Sequence, residues 1–326
     1  MAQHLPLEQI QEKYDFAIEN WEYDQNVYRL HTNRGKKLLK LWNDYDTLTF
    51  AFQLREHLAH HGFRTIDRFI RTQSGEPFVS WNDEYLVVTD WLDGSIPQVT
   101  DELDITKISK LTAKLHLSLA KMEVAQDWEP WSNQFERSLF HFNNVKDKIT
   151  AKSKTSPFDE LVLSHIDSNQ EQVKQSVLMA NKVEKNGFRS GREPQWCHGN
   201  LHLRHFRIDS HHEPWLIHFD IPVYDTPVYD LAKILVHLYI KSNYQDEPIF
   251  QALNAYQEIV PLQKEEQLWI LTYLTFPHHL WKYLYICYLS GLPQTRFSDE
   301  QQYIQLIDLQ KQQEGLYRSL YQYFGM

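Results

Sequence analysis

The chain changes its hydrophobic period near residue 94, and that change sets what it can fold into. Between residues 15 and 42 the stretch FAIENWEYDQNVYRLHTNRGKKLLKLW alternates apolar and polar side chains, the pattern of half-buried strands. Thr32-Asn33-Arg34-Gly35 supplies turn chemistry between the runs NVYRL and KLLKLW. Asp46 to His61 then takes helical spacing, with Leu48, Phe52, Leu54 and Leu58 apolar, and Gly62 stops it. Residues 63–93 return to strand patterning in FRTIDRFIRT, PFVSWN and EYLVVTDWL. The first part of the chain therefore predicts a small sheet with one helix.

After DGSIPQVTDE the period becomes helical. Ile105 to Leu119 places Ile108, Leu111, Leu115 and Leu119 on one stripe, and helical patterns follow over 132–150 and 156–184. A hairpin is expected over 201–220 with SHHEP as its turn, and nearly everything from Asp230 onward reads as helix. The fold class is α+β, with a boundary at 94–103 that divides a small lobe, 1–94, from a helical lobe, 95–326. The apolar stretch LWILTYLTFPHHLWKYLYICYLSGL is broken by Pro277, two histidines and Lys282, so it reads as two buried helices and not a membrane span.

A net charge of −10 disfavours nucleic acid and anionic membrane as partners, since both require a cationic surface. The basic residues Arg34, Lys36 and Lys37 read as the solvated end of a hairpin. Two distant cysteines in apolar surroundings, Cys197 and Cys287, build neither a disulfide framework nor a thiolate metal site. Met1 to Lys13 has no apolar core of a secretory signal, so synthesis and retention in the cytosol are expected unless a partner carries the protein elsewhere.

The chemistry-bearing stretch is WCHGNLHLRHFRID, Trp196 to Asp209. His198, His202 and His205, with His211, His212 and His218, could be read as a zinc cluster, but zinc needs three or four convergent ligands. Satisfied structural histidines and no metal are the favoured reading. Cys197 reads as a small buried apolar residue.

From Trp196 to Leu231 the chain resembles the aminoglycoside phosphotransferase and choline kinase group of protein-kinase-like folds. That group carries H-G-D-L-H-x-x-N, a hairpin, I-D-[FW]-[DE] and then D-x-P-x-x-D-L; here stand HGNLHLRH at 198–205, IHFD at 217–220 and DTPVYDL at 225–231. The resemblance extends to the two strands at 26–42, which place Lys40 as the phosphate-binding lysine, to a hinge in YLVVTDWLDG, and to a large-lobe helix in ISKLTAKLHLSLA.

The departures are chemical. Asn200 stands where the group has its proton-accepting aspartate, and loss of a general base costs ~10²–10⁴ in rate. His205 and His218 replace the two magnesium ligands, although Mg²⁺ prefers oxygen. WEYDQ at 21–25 carries no glycine, and Glu22 and Asp24 would repel phosphates. Glu56 is the only acid in the middle of the helix that normally pairs with the lysine. Asp220 is a candidate rescue, since residues 218 and 220 face one side if the segment is a strand. The resemblance implies that His198 and Asp230 brace the loop, with Asp225 part of the same structural motif; the plain alternative for Asp230 is a helix N-cap. Lys40 is a nucleotide contact, a relic in a salt bridge or simply a solvated strand lysine.

REHLAHHGF at 55–63 and YLTFPHHLWKY at 273–283 look like the spore-coat branch, the CotS and YutH-type proteins of endospore formers. That resemblance implies a pseudokinase without cofactor, made in the mother cell and deposited in the spore coat through contacts with other coat or envelope proteins. The competing expectation is a small-molecule kinase that phosphorylates a hydroxyl with ATP and magnesium.

Overall fold

The computed structural model describes residues 7–24, 27–123, 126–187, 193–291 and 299–326. Elements are numbered in chain order. After a short helix α1 (Leu7–Gln11) come β1 (Ile18–Asp24), β2 (Val27–Thr32) and β3 (Gly35–Trp42), then α2 (Tyr45–His60), β4 (Val79–Trp81) and β5 (Glu84–Asp90). The strands form an antiparallel sheet ordered β1-β2-β3-β5-β4. The turn after β2 closes because Thr32 Oγ1 donates to the Gly35 carbonyl at 2.6 Å and accepts from Arg34 N, while Gly35 takes φ +83°, open to glycine.

Strand alternation sorts the sheet's two faces. Leu30, Leu39, Leu86 and Val88 pack with Tyr14 and Phe16 on one side. Val87 meets Leu48 of α2 and Phe69 on the other. Lys40 follows Leu39, so it points to the α2 face. Asp44 caps α2 by accepting from Thr47 N at 2.6 Å.

Two expectations fail here. FRTIDRFIRT is not a strand: Ile66 bridges Leu216 and Phe69 bridges Thr89 in isolation. Its buried residues, Phe63, Ile66, Asp67, Phe69 and Thr72, do not recur at period two, so no continuous ladder is possible. Lys37 is also not a solvated hairpin lysine, because its side chain is only 10% exposed and lies 2.5 Å from Asp90.

The chain divides into two compact units, Met1–Glu123 with Trp196–Val223, and Val124–Gln195 with Tyr224–Met326. The first also contains α3 (Glu102–Leu119), capped by Asp101, and the hairpin of β7 (Phe206–Ile208) and β8 (Pro214–Leu216). A 3-10 turn, Leu203–His205, precedes that hairpin, and β6 (Gln195–Cys197) leads into it. Gly94 lies so close to β7 that a Cβ there would meet the Ile208 carbonyl oxygen at 2.6 Å. Ser95 and Ile208 exchange backbone hydrogen bonds of 3.0 and 2.9 Å beside it.

The second unit is mainly helical: α4 (Trp131–Thr150), α5 (Pro157–Glu184), α6 (Pro227–Lys241), α7 (Glu247–Gln257), α8 (Lys264–Thr275), α9 (His278–Tyr288) and α10 (Glu300–Tyr323). A capping box between Ser156 and Asp159, with Pro157 at the first position, starts α5. Pro277 separates α8 from α9, the two buried helices expected there. Stacked rings of Phe135 and Phe276, 4.4 Å apart, join α4 to the α8 end. Among the described residues no helix is long and apolar enough to cross a membrane.

Candidate active centre

β3 presents Lys40, 7% exposed, on the face that α2 covers. Its ammonium lies 2.9 Å from Asp220 Oδ2, 3.1 Å from His218 Nδ1 and 3.8 Å from Asp67 Oδ2. Helix α2 meets this group with Arg55, not Glu56. Arg55 is fully buried, and its Nη2 donates to Asp220 Oδ1 at 2.8 Å and to Asp67 Oδ1 at 3.0 Å. Nε donates to the Asp67 carbonyl, and Nη1 to the carbonyls of Ala51 and Phe219. Every donor of the guanidinium is thereby used. Glu56 faces outward and pairs with Arg68 and Arg71 at 2.6 and 2.9 Å.

Two cations and two carboxylates make this cluster electrically neutral by itself. Burial pushes the Asp220 carboxyl up, but Lys40, a hydrogen bond with His218 and Arg55 outweigh it and hold the group well below the usual carboxylate range. Both Asp220 oxygens are therefore occupied by protein cations. A divalent ion could take them only by displacing Lys40 and Arg55, and stripping partners from a buried charge is costly.

Residues 217–220 are not strand, and His218 takes φ +61°, an uncommon value for a side-chain-bearing residue. The premise that 218 and 220 share a strand face is thus corrected. A backbone turn brings both side chains to Lys40 instead. It is held by His218 N donating to Asp67 Oδ2 at 3.1 Å.

The loop histidines adjoin this cluster. His198 Nδ1 accepts from Asn200 N at 3.3 Å, and the opposite ring nitrogen faces the Ile217 carbonyl at 3.4 Å. Gly199 has φ +81°, and a Cβ there would strike Val223 Cγ1 at 2.8 Å, so the loop requires glycine. Asn200 itself is exposed. The His205 ring lies 3.7 Å from that of His202 at a tilt of 32°, with His198 at 4.9 Å and His218 at 5.6 Å between ring centroids. Burial, then the positive charge of the neighbouring histidines, pushes His205 down to about 2, so its ring is neutral at ordinary pH. Among the described residues no group of three or more His, Cys, Asp or Glu side chains is arranged to hold a metal ion. His211 and His212 stand exposed in the hairpin turn.

The donor set ill suits the magnesium nucleotide of the fold. His205 and His218, at the positions where the resemblance led us to expect metal ligands, are imidazoles, Asp220 is spent on cations, and the cavity beside Thr89–Leu92 measures only about 170 Å³. Small-ligand pockets usually run to roughly 300–1,000 Å³. Arg29 takes up part of the space, its guanidinium 4.8 Å over the Trp91 ring. In the strand-connecting segment, the side chain of Asp24 and residues Gln25 and Asn26 lie outside the described residues.

The remaining motif residues belong to the second unit. Asp225 accepts from Trp131 Nε1 at 2.9 Å, Trp128 Nε1 at 3.1 Å and Thr226 N at 2.7 Å. Burial raises its carboxyl to about 7 against those donors. Thr226, not Asp230, is the N-cap of α6; the helix begins at Pro227, and Asp230 is fully buried in its first turn.

A twisted antiparallel sheet carrying a buried lysine, one covering helix, a histidine-glycine loop with a following hairpin, and a helical unit define the fold of the small-molecule kinases. Residues 19–267 match the phosphotransferase enzyme family, and the chain belongs to that family. Its structure is similar to an aminoglycoside phosphotransferase from Alicyclobacillus acidocaldarius, at 18% identity and TM-score 0.82 over 100% of this chain and 98% of that one. A spectinomycin phosphotransferase matches at 14% identity and TM-score 0.67, covering 94% and 92%. Choline kinase from Streptococcus pneumoniae matches at 12% identity and TM-score 0.57, covering 96% and 97%. At such identities the likeness is one of fold.

Arg55 and Asp67 escaped the sequence reading. A signal for the first existed: Arg55 falls seven residues after Leu48 on the apolar stripe of α2, and a cation on a buried stripe demands a carboxylate.

Proposed function

We propose that this protein is a kinase-fold module that does not transfer phosphate, and that it acts by binding other proteins. The observation that carries the reading is the Lys40–Asp220–Arg55–Asp67 cluster, which neutralises internally the groups a kinase reserves for metal and phosphate. Asn200, His205 and His218 support it, since none supplies a carboxylate. Assembly into the spore coat, beside other coat or envelope proteins, is the setting in which we place that binding. It rests on the resemblance of residues 55–63 and 273–283 to the spore-coat branch.

One observation favours a second reading, ATP-dependent phosphorylation of a small-molecule hydroxyl: Lys40 and a carboxylate, Asp220, remain 2.9 Å apart. A melting scan with ATP and Mg²⁺ separates the two. Ligand at a hundred times its dissociation constant stabilises a native state by about 2.7 kcal/mol. The first reading expects no rise in Tm. A clear rise, followed by phosphotransfer that Asn200→Ala abolishes, would establish the second.

A further inference from the structure

The helical unit carries a groove of about 560 Å³ between α5 and α10, closed at its base by the end of α8. Asn169, Gln172 and Gln175 line it from one face of α5, at spacings of three residues. Gln310 and Tyr317, seven residues apart, line it from one face of α10. The lysine and arginine at its rim are matched: Lys311 lies 3.2 Å from Asp308, and Arg318 lies 3.7 Å from Glu314. What the groove offers a ligand is therefore amide and apolar surface.

The amides around it differ in how they are used. Carbonyls in the last turn of a helix have no partner within it. At the end of α8 the Leu274 and Thr275 carbonyls accept instead from Gln313 Nε2 and Gln172 Nε2, at 3.0 and 3.1 Å. Gln175 Nε2 donates to Glu171 at 3.0 Å, and Asn169 Nδ2 to the Tyr303 hydroxyl at 3.5 Å. Gln310 is the exception. The residue is only 9% exposed, and among the described residues its Nε2 has no hydrogen-bond partner. A buried amide without a partner destabilises the fold, and a leucine of similar size would avoid that cost. A half-turn about the last torsion exchanges its oxygen and nitrogen, so the carboxamide can present either one to the groove.

We propose that this groove binds a small, flat, uncharged ring carrying an N–H beside a C=O, the edge of a cyclic amide or imide, and that Gln310 recognises that edge. A carboxamide holds one acceptor and a donor side by side, so it pairs with such an edge through two hydrogen bonds, as glutamine does with adenine. Leu274, Ile307 and Tyr317 supply apolar surface for the faces of the ring. The volume falls within the small-ligand range. The inference goes beyond the function proposed above and does not depend on whether the chain transfers phosphate.

Fluorine NMR of 5-fluorouracil with the full chain, in the absence of ATP and magnesium, tests it. Saturable broadening of the fluorine line, reversed by excess uracil, is expected. 1,3-Dimethyluracil keeps the ring but has no N–H, and it should not compete. Gln310→Leu should weaken binding about ten-fold or more. Its Tm should equal or exceed that of wild type, because the variant removes an unpaired buried amide. Gln175 is exposed on the α5 wall, so Gln175→Trp narrows the groove without touching the core and should also weaken binding. Absence of saturable binding, full competition by 1,3-dimethyluracil, or undiminished affinity in either variant overturns the proposal. So does a lower Tm in Gln310→Leu, which would show that the amide is already paired inside the protein.

Discussion

Arg55 Nη2 and Asp220 Oδ1 stand 2.8 Å apart, and this contact joins the helix over the sheet to the segment that follows the β7–β8 hairpin. A fully buried guanidinium with every donor used has no water to fall back on. Arg55→Leu should lower the unfolding free energy by about 3–5 kcal/mol, because Asp67 and Asp220 would retain a single cation, Lys40, between them. Denaturant unfolding checks this, and a loss below ~1 kcal/mol would show that the cluster is not what ties these elements together. In the double variant with Asp220→Asn the two losses should fall short of additivity.

The same contact predicts what a carboxylate placed at position 218 does. His218→Asp should leave the protein without a magnesium-dependent rise in melting temperature, since Asp220 stays bound to Lys40 and Arg55 and His205 stays an imidazole. A rise of several degrees with MgCl₂ in that variant would mean that the cluster yields readily to a hard cation.

Asp225 makes stability depend on pH in an unusual sense. Its folded carboxyl titrates at about 7 and an unfolded one near 3.9, so between those values the folded state binds the extra proton. This group's contribution therefore falls as pH rises from 4 to 7, at a limit of about 1.4 kcal/mol per unit. His205 acts oppositely: its folded ring titrates at about 2 and an unfolded one near 6.5, so its contribution is lost as pH falls through that window. Relative to wild type, Asp225→Asn should make stability climb more with rising pH, and His205→Asn should make it climb less. Identical slopes in all three proteins would refute both assignments.

Gly94→Ala tests the close approach to β7. The added methyl would sit 2.6 Å from the Ile208 oxygen, and backbone cannot swing aside as a flexible side chain does. A loss of about 1–3 kcal/mol is expected in thermal or denaturant unfolding. A neutral result would mean that the Ser95–Ile208 pairing tolerates separation.

Much of the fold was legible because period and punctuation agreed. Thr32 and Gly35 marked the β2–β3 hairpin, Gly62 ended α2 one residue past its C-cap, and Pro277 parted two apolar helices. Residues 63–72 misled because their apolar side chains come from crossing between Leu216 and β5, not from running beside one strand. Within the candidate centre, the family resemblance singled out Lys40 and His218 with Asp220 beside them, and the fold brings these three side chains together. The resemblance could not say that His218 adopts a left-handed backbone or that Asp67, twelve residues beyond Arg55, folds back to meet it. Those facts depend on contacts between distant segments, which no local pattern encodes.

The neutral quartet also constrains how such a chain can change over generations. Deleting Arg55 before an ion is present strands two acids, while recovering a metal ligand with Arg55 in place leaves that ligand nothing to hold. On the reading proposed above, each single step toward metal binding is unrewarded, so the arrangement works as a ratchet, and lineages that acquire it are steered toward other uses of the same scaffold.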